Sequence, residues 1–293
     1  MVRCCLAAIA LTLAAGSLRG QDLLADTGVH LVSRQFSFTE GASVDRRGNV
    51  FFTDQPNNRI WEYDLDGRLT VFLDSAGRSN GMYFDRSGRL VTCADEQEQL
   101  WSIGPDRKVK VLLTDVGEKR LNGPNDLWID PRGGIYFTDP YYQRPYWTRT
   151  KGEMDGERVY YLAPGSRKAR VAAGDVVKPN GIVGTPDGRF LYVADIGAGK
   201  TYKYRIGPAG ALTDRQLIIM QGSDGMTLDE QGNVYLTGDG VTVYDSTGRK
   251  MAHIAVPEPW TANLCFGGRD KRTLFITASQ GLYMIRMRVR GVE

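Results

Sequence analysis

With 293 residues, 42% of them hydrophobic and 24% charged, the chain has the composition of a globular protein large enough for one sizeable all-β domain or two ordinary domains. Thirty-five glycines favour a fold rich in tight turns. A formal charge of +3 is near balance, which argues against a nucleic-acid partner and against strong attraction to a membrane surface.

Residues 1–20 read as an export signal. Arg3 gives a positive start, Leu6 to Ala15 an apolar run, and Ala15, Gly16, Ser17 and Gly20 offer small residues suited to cleavage. That run falls short of the roughly 20 apolar residues of a membrane span, and no later stretch reaches that length. A buried N-terminal helix is the competing reading, disfavoured because everything downstream reads as strand. The expectation is an exported protein, periplasmic or secreted, with residues 21–293 as a single domain. Cleavage would remove Cys4 and Cys5. Cys93 and Cys265 then remain, each inside a strand-like apolar run, and read as buried unpaired thiols. One disulfide between them stays open, and their spacing matches no metal-binding pattern.

After a strand-like stretch from His30 to Phe38, the chain repeats itself. Gly41 to Asp54 reads GASVDRRGNVFFTD, Gly81 to Asp95 GMYFDRSGRLVTCAD, and Asp126 to Asp139 DLWIDPRGGIYFTD. Gly181 to Asp195 and Gly225 to Gly238 repeat the pattern, and a worn copy runs from Leu264 to Ser279. Each copy is a short strand, a D-x-x-G or P-D-G turn, a β-branched and aromatic strand, and then two further strands. Four strands per repeat, in six repeats, predict an all-β fold: a six-bladed β-propeller of four-stranded antiparallel blades. A β-helix or sandwich would give shorter or less regular repeats. An open edge strand invites aggregation, so His30–Phe38 is expected to complete the last blade from the N-terminal side.

One polar residue opens each repeat: Glu40, Asn80, Asn125, Asn180, Asp224 and Asn263, spaced 40, 45, 55, 44 and 39 residues apart. In a propeller these positions face one another across the channel, so six side-chain oxygens converge at one mouth. Asx residues can also begin strands simply by bonding their own turns, an account that suits Asn80 and Asn263 better than Glu40. Two carboxylates with several amides form a hard, all-oxygen donor set. It fits one divalent cation, Ca²⁺ first, with Mg²⁺, Mn²⁺ or Zn²⁺ as alternatives. Neither His30 nor His253 falls on this ring.

The segments Glu40-Gly41, Pro124-Asn125-Asp126-Leu127, Lys178-Pro179-Asn180-Gly181 and Ser223-Asp224-Gly225-Met226 resemble the gluconolactonase/regucalcin family, also called the senescence-marker-protein family. The likeness runs from about Glu40 to about Met284. It implies a six-bladed propeller with one axial divalent cation, and an enzyme that hydrolyses a small lactone. The resemblance assigns Glu40, Asn180 and Asp224 to the cation, Asp224 also as general base or nucleophile, and Asn125 to substrate. Asn125 is a candidate ligand as well. Asn80 is a further substrate contact. Some members place an arginine shortly before the third-blade asparagine, and the nearest here is Arg120, several residues further back.

Asp195 and Asn263 are secondary candidates. Asp195 stands level with Asp54, Asp95 and Asp139, a recurrence that points to a turn role while leaving a place near the cation open. The insertion from Pro140 to Arg158, with Tyr141, Tyr142, Arg144, Tyr146, Trp147 and Arg149, reads either as a lid over a polar substrate or as packing on a neighbouring blade. Trp61, Trp101 and Trp128 read as core, and Arg167 to Arg170 as a solvated turn. The expected partner is a small lactone or ester, bound by a monomer. Two other functions fit the same residues: a non-catalytic propeller binding a carbohydrate or protein, and a phosphotriester or aryl ester hydrolase.

Overall fold

The computed structural model describes residues 23–292; the expected export signal, with Cys4 and Cys5, lies outside them. The described chain forms six four-stranded antiparallel sheets. Their inner strands are Thr39–Val44, Ser79–Phe84, Leu127–Ile129, Pro179–Gly184, Met226–Leu228 and Thr261–Gly267. Each packs against the inner strands of both neighbouring blades, closing a ring around a channel. This is the six-bladed propeller that the repeats predict.

Burial explains the sequence pattern of each blade. The second strands, such as Val50–Asp54, Ile135–Asp139 and Val234–Gly238, are buried at every position. They read as continuous apolar runs because neighbouring blades cover both of their faces. Fourth strands lie at the rim, and Leu69–Asp74 is partly or fully exposed along its length. The repeated turns follow from Asp chemistry. Asp45 Oδ1 accepts the backbone N–H groups of Arg47, Gly48 and Asn49 at 2.8–2.9 Å, and Gly48 takes the positive φ of +102° that the turn requires.

Closure comes from the N-terminal side, as expected. His30–Ser33 pairs antiparallel with Gly281–Arg286, placing His30 opposite Met284. Phe36 then packs edge-on against Phe52 and Trp61, with ring centroids 5.1 and 5.4 Å away, fastening the first blade to the last. Cys93 and Cys265 are buried and not joined by a disulfide, and burial pushes the Cys93 thiol well up. Trp128 is core, whereas Trp61 and Trp101 are half-buried. No helix among the described residues is long and apolar enough to cross a membrane.

Candidate active site at the channel mouth

Every inner strand starts at the same mouth of the channel, so the residues that open the repeats meet there. Glu40, Asn80, Asn125, Asn180 and Asp224 line one cavity of about 240 Å³. Asn263 is buried beside Glu40 and hydrogen-bonds to it, while its Oδ1 accepts the Leu264 N–H at 2.8 Å. It is not part of the cavity wall.

The tightness of this ring depends on the glycine that follows four of its members. Gly41 has φ +56°, and a side chain there would collide with the Asn80 carbonyl oxygen. Close approach lets the Gly81 N–H donate to Asn125 O, and the Gly225 N–H to Ala262 O, both at 2.7 Å. Threonines of the second strands reach across as well: Thr138 Oγ1 donates to Asn180 O at 2.8 Å and Thr237 Oγ1 to Ala262 O at 2.9 Å. The third blade replaces this glycine with Asp126. Its Oδ1 accepts the N–H of Leu127 and its Oδ2 that of Ile182 in the next blade.

The two ring acids interact. Glu40 and Asp224 both line the cavity, close enough for each to bear on the other's ionisation. Desolvation pushes the Glu40 pKa well above the usual carboxylate range, and the charges of Asp224 and Asp126 push it further. Asp224 is also raised by desolvation, opposed by hydrogen bonds from Trp260 and Asn180 and by the Arg144 charge. The Trp260 indole N–H donates to Asp224 Oδ2 at 2.6 Å. Asn180 Nδ2 donates to the Tyr142 hydroxyl at 3.2 Å.

Among the described residues no group of three or more His, Cys, Asp or Glu side chains is placed to share a metal ion. The donors here are two carboxylates and amide oxygens, which suit a hard cation. Asn80 Oδ1 is buried without a hydrogen-bond partner, an unsatisfied oxygen on a residue of the cavity wall. A cation would relieve two acids that burial otherwise holds toward protonation, and a donor from a bound ligand would satisfy that oxygen. The residues fit the group.

Two sequence candidates sit elsewhere. Arg120 lies on a short exposed hairpin, Asp115–Val116 with Lys119–Arg120, where it pairs with Glu153 at 2.7 Å. Asp195 accepts the N–H groups of Val177, Lys178 and Ala198 at 2.8–3.1 Å, so its carboxylate holds its own loop and does not line the cavity.

Of the two readings of the insertion, the structure shows the packing on a neighbouring blade. Part of it packs on the second blade: Arg144 Nε lies 2.8 Å from Asp95 Oδ2 and Arg149 Nε 2.8 Å from Glu98 Oε1. Tyr142 and Arg144 nonetheless reach the cavity wall.

Trp260, Gln55 and Ile196, also in that wall, escaped the sequence reading. Gln55 and Ile196 each directly follow the Asp that closes a second strand, and Trp260 stands three positions before the sixth ring residue. Those registers were a signal that the ring itself made available.

A gluconolactonase of Zymomonas mobilis is 28% identical to this chain over 90% of it and 83% of the relative. A gluconolactonase structure from Xanthomonas campestris superposes with a TM-score of 0.85 at 29% identity, covering 91% of each chain. The calcium-binding regucalcin of Agrobacterium tumefaciens shares the fold, with a TM-score of 0.75, 19% identity, and coverage of 90% of this chain and 95% of that one. Over residues 38–280 the sequence matches the model of the SMP-30/gluconolactonase/LRE-like region, and the chain belongs to that family.

Proposed function

We propose that the protein is a lactone hydrolase working with one divalent cation, Ca²⁺ first, held by Glu40, Asn125, Asn180 and Asp224. The observation that carries this reading is the placement of two buried acids, Glu40 and Asp224, together in a small cavity ringed by amide side chains. Membership of the family and the gluconolactonase relatives support it. A cavity of about 240 Å³ is below the roughly 300–1,000 Å³ of sites for drug-sized ligands. It suits a single small ring.

When bound, the cation would polarise the lactone carbonyl and stabilise negative charge developing on its oxygen. Asp224 is the base or the nucleophile. As base it takes a proton from water as the water oxygen bonds to the carbonyl carbon. It then returns that proton to the ring oxygen as the carbon–oxygen bond breaks, leaving a hydroxy acid. As nucleophile its carboxylate would bond to the carbonyl carbon while the ring carbon–oxygen bond breaks and water protonates the ring oxygen; the hydroxide left would then cleave the anhydride to the hydroxy acid and free Asp224. Trp260 fixes the plane of the Asp224 carboxylate in either case. Glu40 stays a ligand, and the Asn125 amide donates to substrate oxygen. The apolar run at Leu6–Ala15 supports export as part of the same reading.

Acid release from a panel of γ- and δ-aldonolactones tests the proposal. Turnover that Asp224→Asn abolishes in folded protein supports it. Absence of turnover in folded, cation-loaded protein favours a binding propeller instead.

A further inference from the structure

Second strands in three of the blades end in aspartate, Asp54, Asp139 and Asp195; in the second blade Ala94 ends the strand opposite Ser79, as Asp54 lies opposite Thr39, and Asp95 follows one position beyond. The three strand-ending acids do the same task. Each accepts the two backbone N–H groups that lie three and two positions before its own ring residue. Asp54 takes Ser37 and Phe38 at 3.1 and 3.2 Å, Asp139 takes Asn122 and Gly123 at 2.9 and 3.0 Å, and Asp195 takes Val177 and Lys178 at 2.8 and 2.9 Å.

The second blade departs from this rule. There the Arg78 N–H, two positions before Asn80, donates to Asn58 Oδ1 at 2.7 Å. The Asp95 carboxylate, one position past that register and 1% exposed, faces the third-blade insertion instead. Its Oδ2 accepts from Arg144 Nε at 2.8 Å, from the Tyr146 hydroxyl, and from Gln55 Nε2 at 3.2 Å, while its carbonyl accepts the Trp147 indole at 3.2 Å. Arg78 covers the Tyr146 ring at 4.6 Å. On the far side, Lys178 Nζ donates to the Tyr141 carbonyl at 2.9 Å, and Asn180 donates to Tyr142. The insertion therefore leaves blade 3 and is tied to blade 2 on one side and blade 4 on the other.

We propose that Asp95 is the positioning residue of a substrate gate, holding Arg144 at the cavity wall as the selector for a lactone ring that carries several hydroxyl groups. The inference rests on the lactone-hydrolase reading and adds to it the pair of residues that would select among lactones. Asp95 occupies Arg144 Nε and balances its charge, so the site is not a bare cation seeking an anion. The two terminal nitrogens of Arg144 carry no hydrogen bond to protein among the described residues. They form a planar fork of donors suited to neighbouring hydroxyl oxygens. A lactone without hydroxyls offers that fork nothing.

The experiment compares wild type, Arg144→Gln, Asp95→Asn and the double variant on glucono-δ-lactone and on δ-valerolactone, which lacks ring hydroxyls. Both single variants should lower kcat/KM for the aldonolactone by about tenfold, mainly through KM, because one hydrogen-bonded selector is lost. The change for δ-valerolactone should stay within about twofold, and the double variant should be no worse than either single one, since the two residues act as a unit. Equal losses on both lactones, or additive losses, would overturn the selector. Hydrogen exchange across residues 140–157 provides a readout independent of turnover. Exchange should rise in Asp95→Asn and, to a smaller extent, in Tyr146→Phe, which removes one bond to the same carboxylate. Unchanged exchange in both would overturn the anchor. If wild type opens neither lactone, the hydrolase reading fails and the selector with it, while the exchange result still judges Asp95.

Discussion

The indole N–H of Trp260 lies 2.6 Å from Asp224 Oδ2, so an exposed tryptophan outside the repeat pattern orients the acid at the centre of the site. Hydrogen bonds to charged groups contribute about 1.5–3 kcal/mol. Trp260→Phe keeps a ring and removes the donor. Its kcat should fall roughly tenfold, with the thermal midpoint little changed because Trp260 is 38% exposed. Steady-state kinetics beside a thermal melt check both halves.

Glu40 supplies one of only two carboxylates on the ring. Glu40→Gln keeps shape and oxygen while removing a charge, and ligand charge is a main determinant of Ca²⁺ affinity. Calorimetric titration with Ca²⁺ should show affinity reduced by ~10-fold or more. Saturating Ca²⁺ should raise the melting temperature of wild type by mass action, and raise that of the variant less.

Burial lifts the Asp139 carboxyl to about 7, against about 3.9 in an unfolded chain. The folded protein therefore binds more protons between those values. The resulting stability is fully present below about pH 4 and is lost as pH rises through 7. Asp139→Asn cannot ionise there. It should start less stable at pH 6, because one of the two amides at 2.9 and 3.0 Å loses its acceptor. From pH 6 to 8 its urea midpoint should fall less steeply than that of wild type, both free of cation. Equal slopes would remove Asp139 from the account.

Arg120 gives a contrasting expectation. It is exposed and paired with Glu153 away from the cavity, so Arg120→Ala should leave kcat/KM within about twofold and stability within about 0.5 kcal/mol. A loss confined to KM would bring this residue back to the substrate.

The propeller and its ring were legible because both are periodic. Glu40, Asn180 and Asp224 stand at one phase of a repeat, and the repeat itself places them at one mouth of the channel. Trp260 and Gln55 stand at readable offsets from the repeat, but their entry into the cavity wall depends on connections whose course neighbouring blades set. The insertion advertised its aromatics and arginines. Which of them reach the cavity was decided by Asp95, about fifty residues earlier in the chain. That acid lies one position beyond the register of Asp54 and Asp195, where Ala94 stands, and so it meets side chains of the insertion rather than the amides of its own loop. Arg120 illustrates the converse: the resemblance pointed to an arginine near this position, and a two-residue hairpin turns it outward.

If the channel-mouth ring opens lactones with a divalent cation, turnover depends on that cation. The most direct measurement is acid release from glucono-δ-lactone by the protein as prepared, after EDTA treatment, and after Ca²⁺ is restored. The expected result is turnover that EDTA abolishes and Ca²⁺ recovers, with the fold unchanged by circular dichroism throughout. Undiminished turnover after complete removal of metal would contradict it.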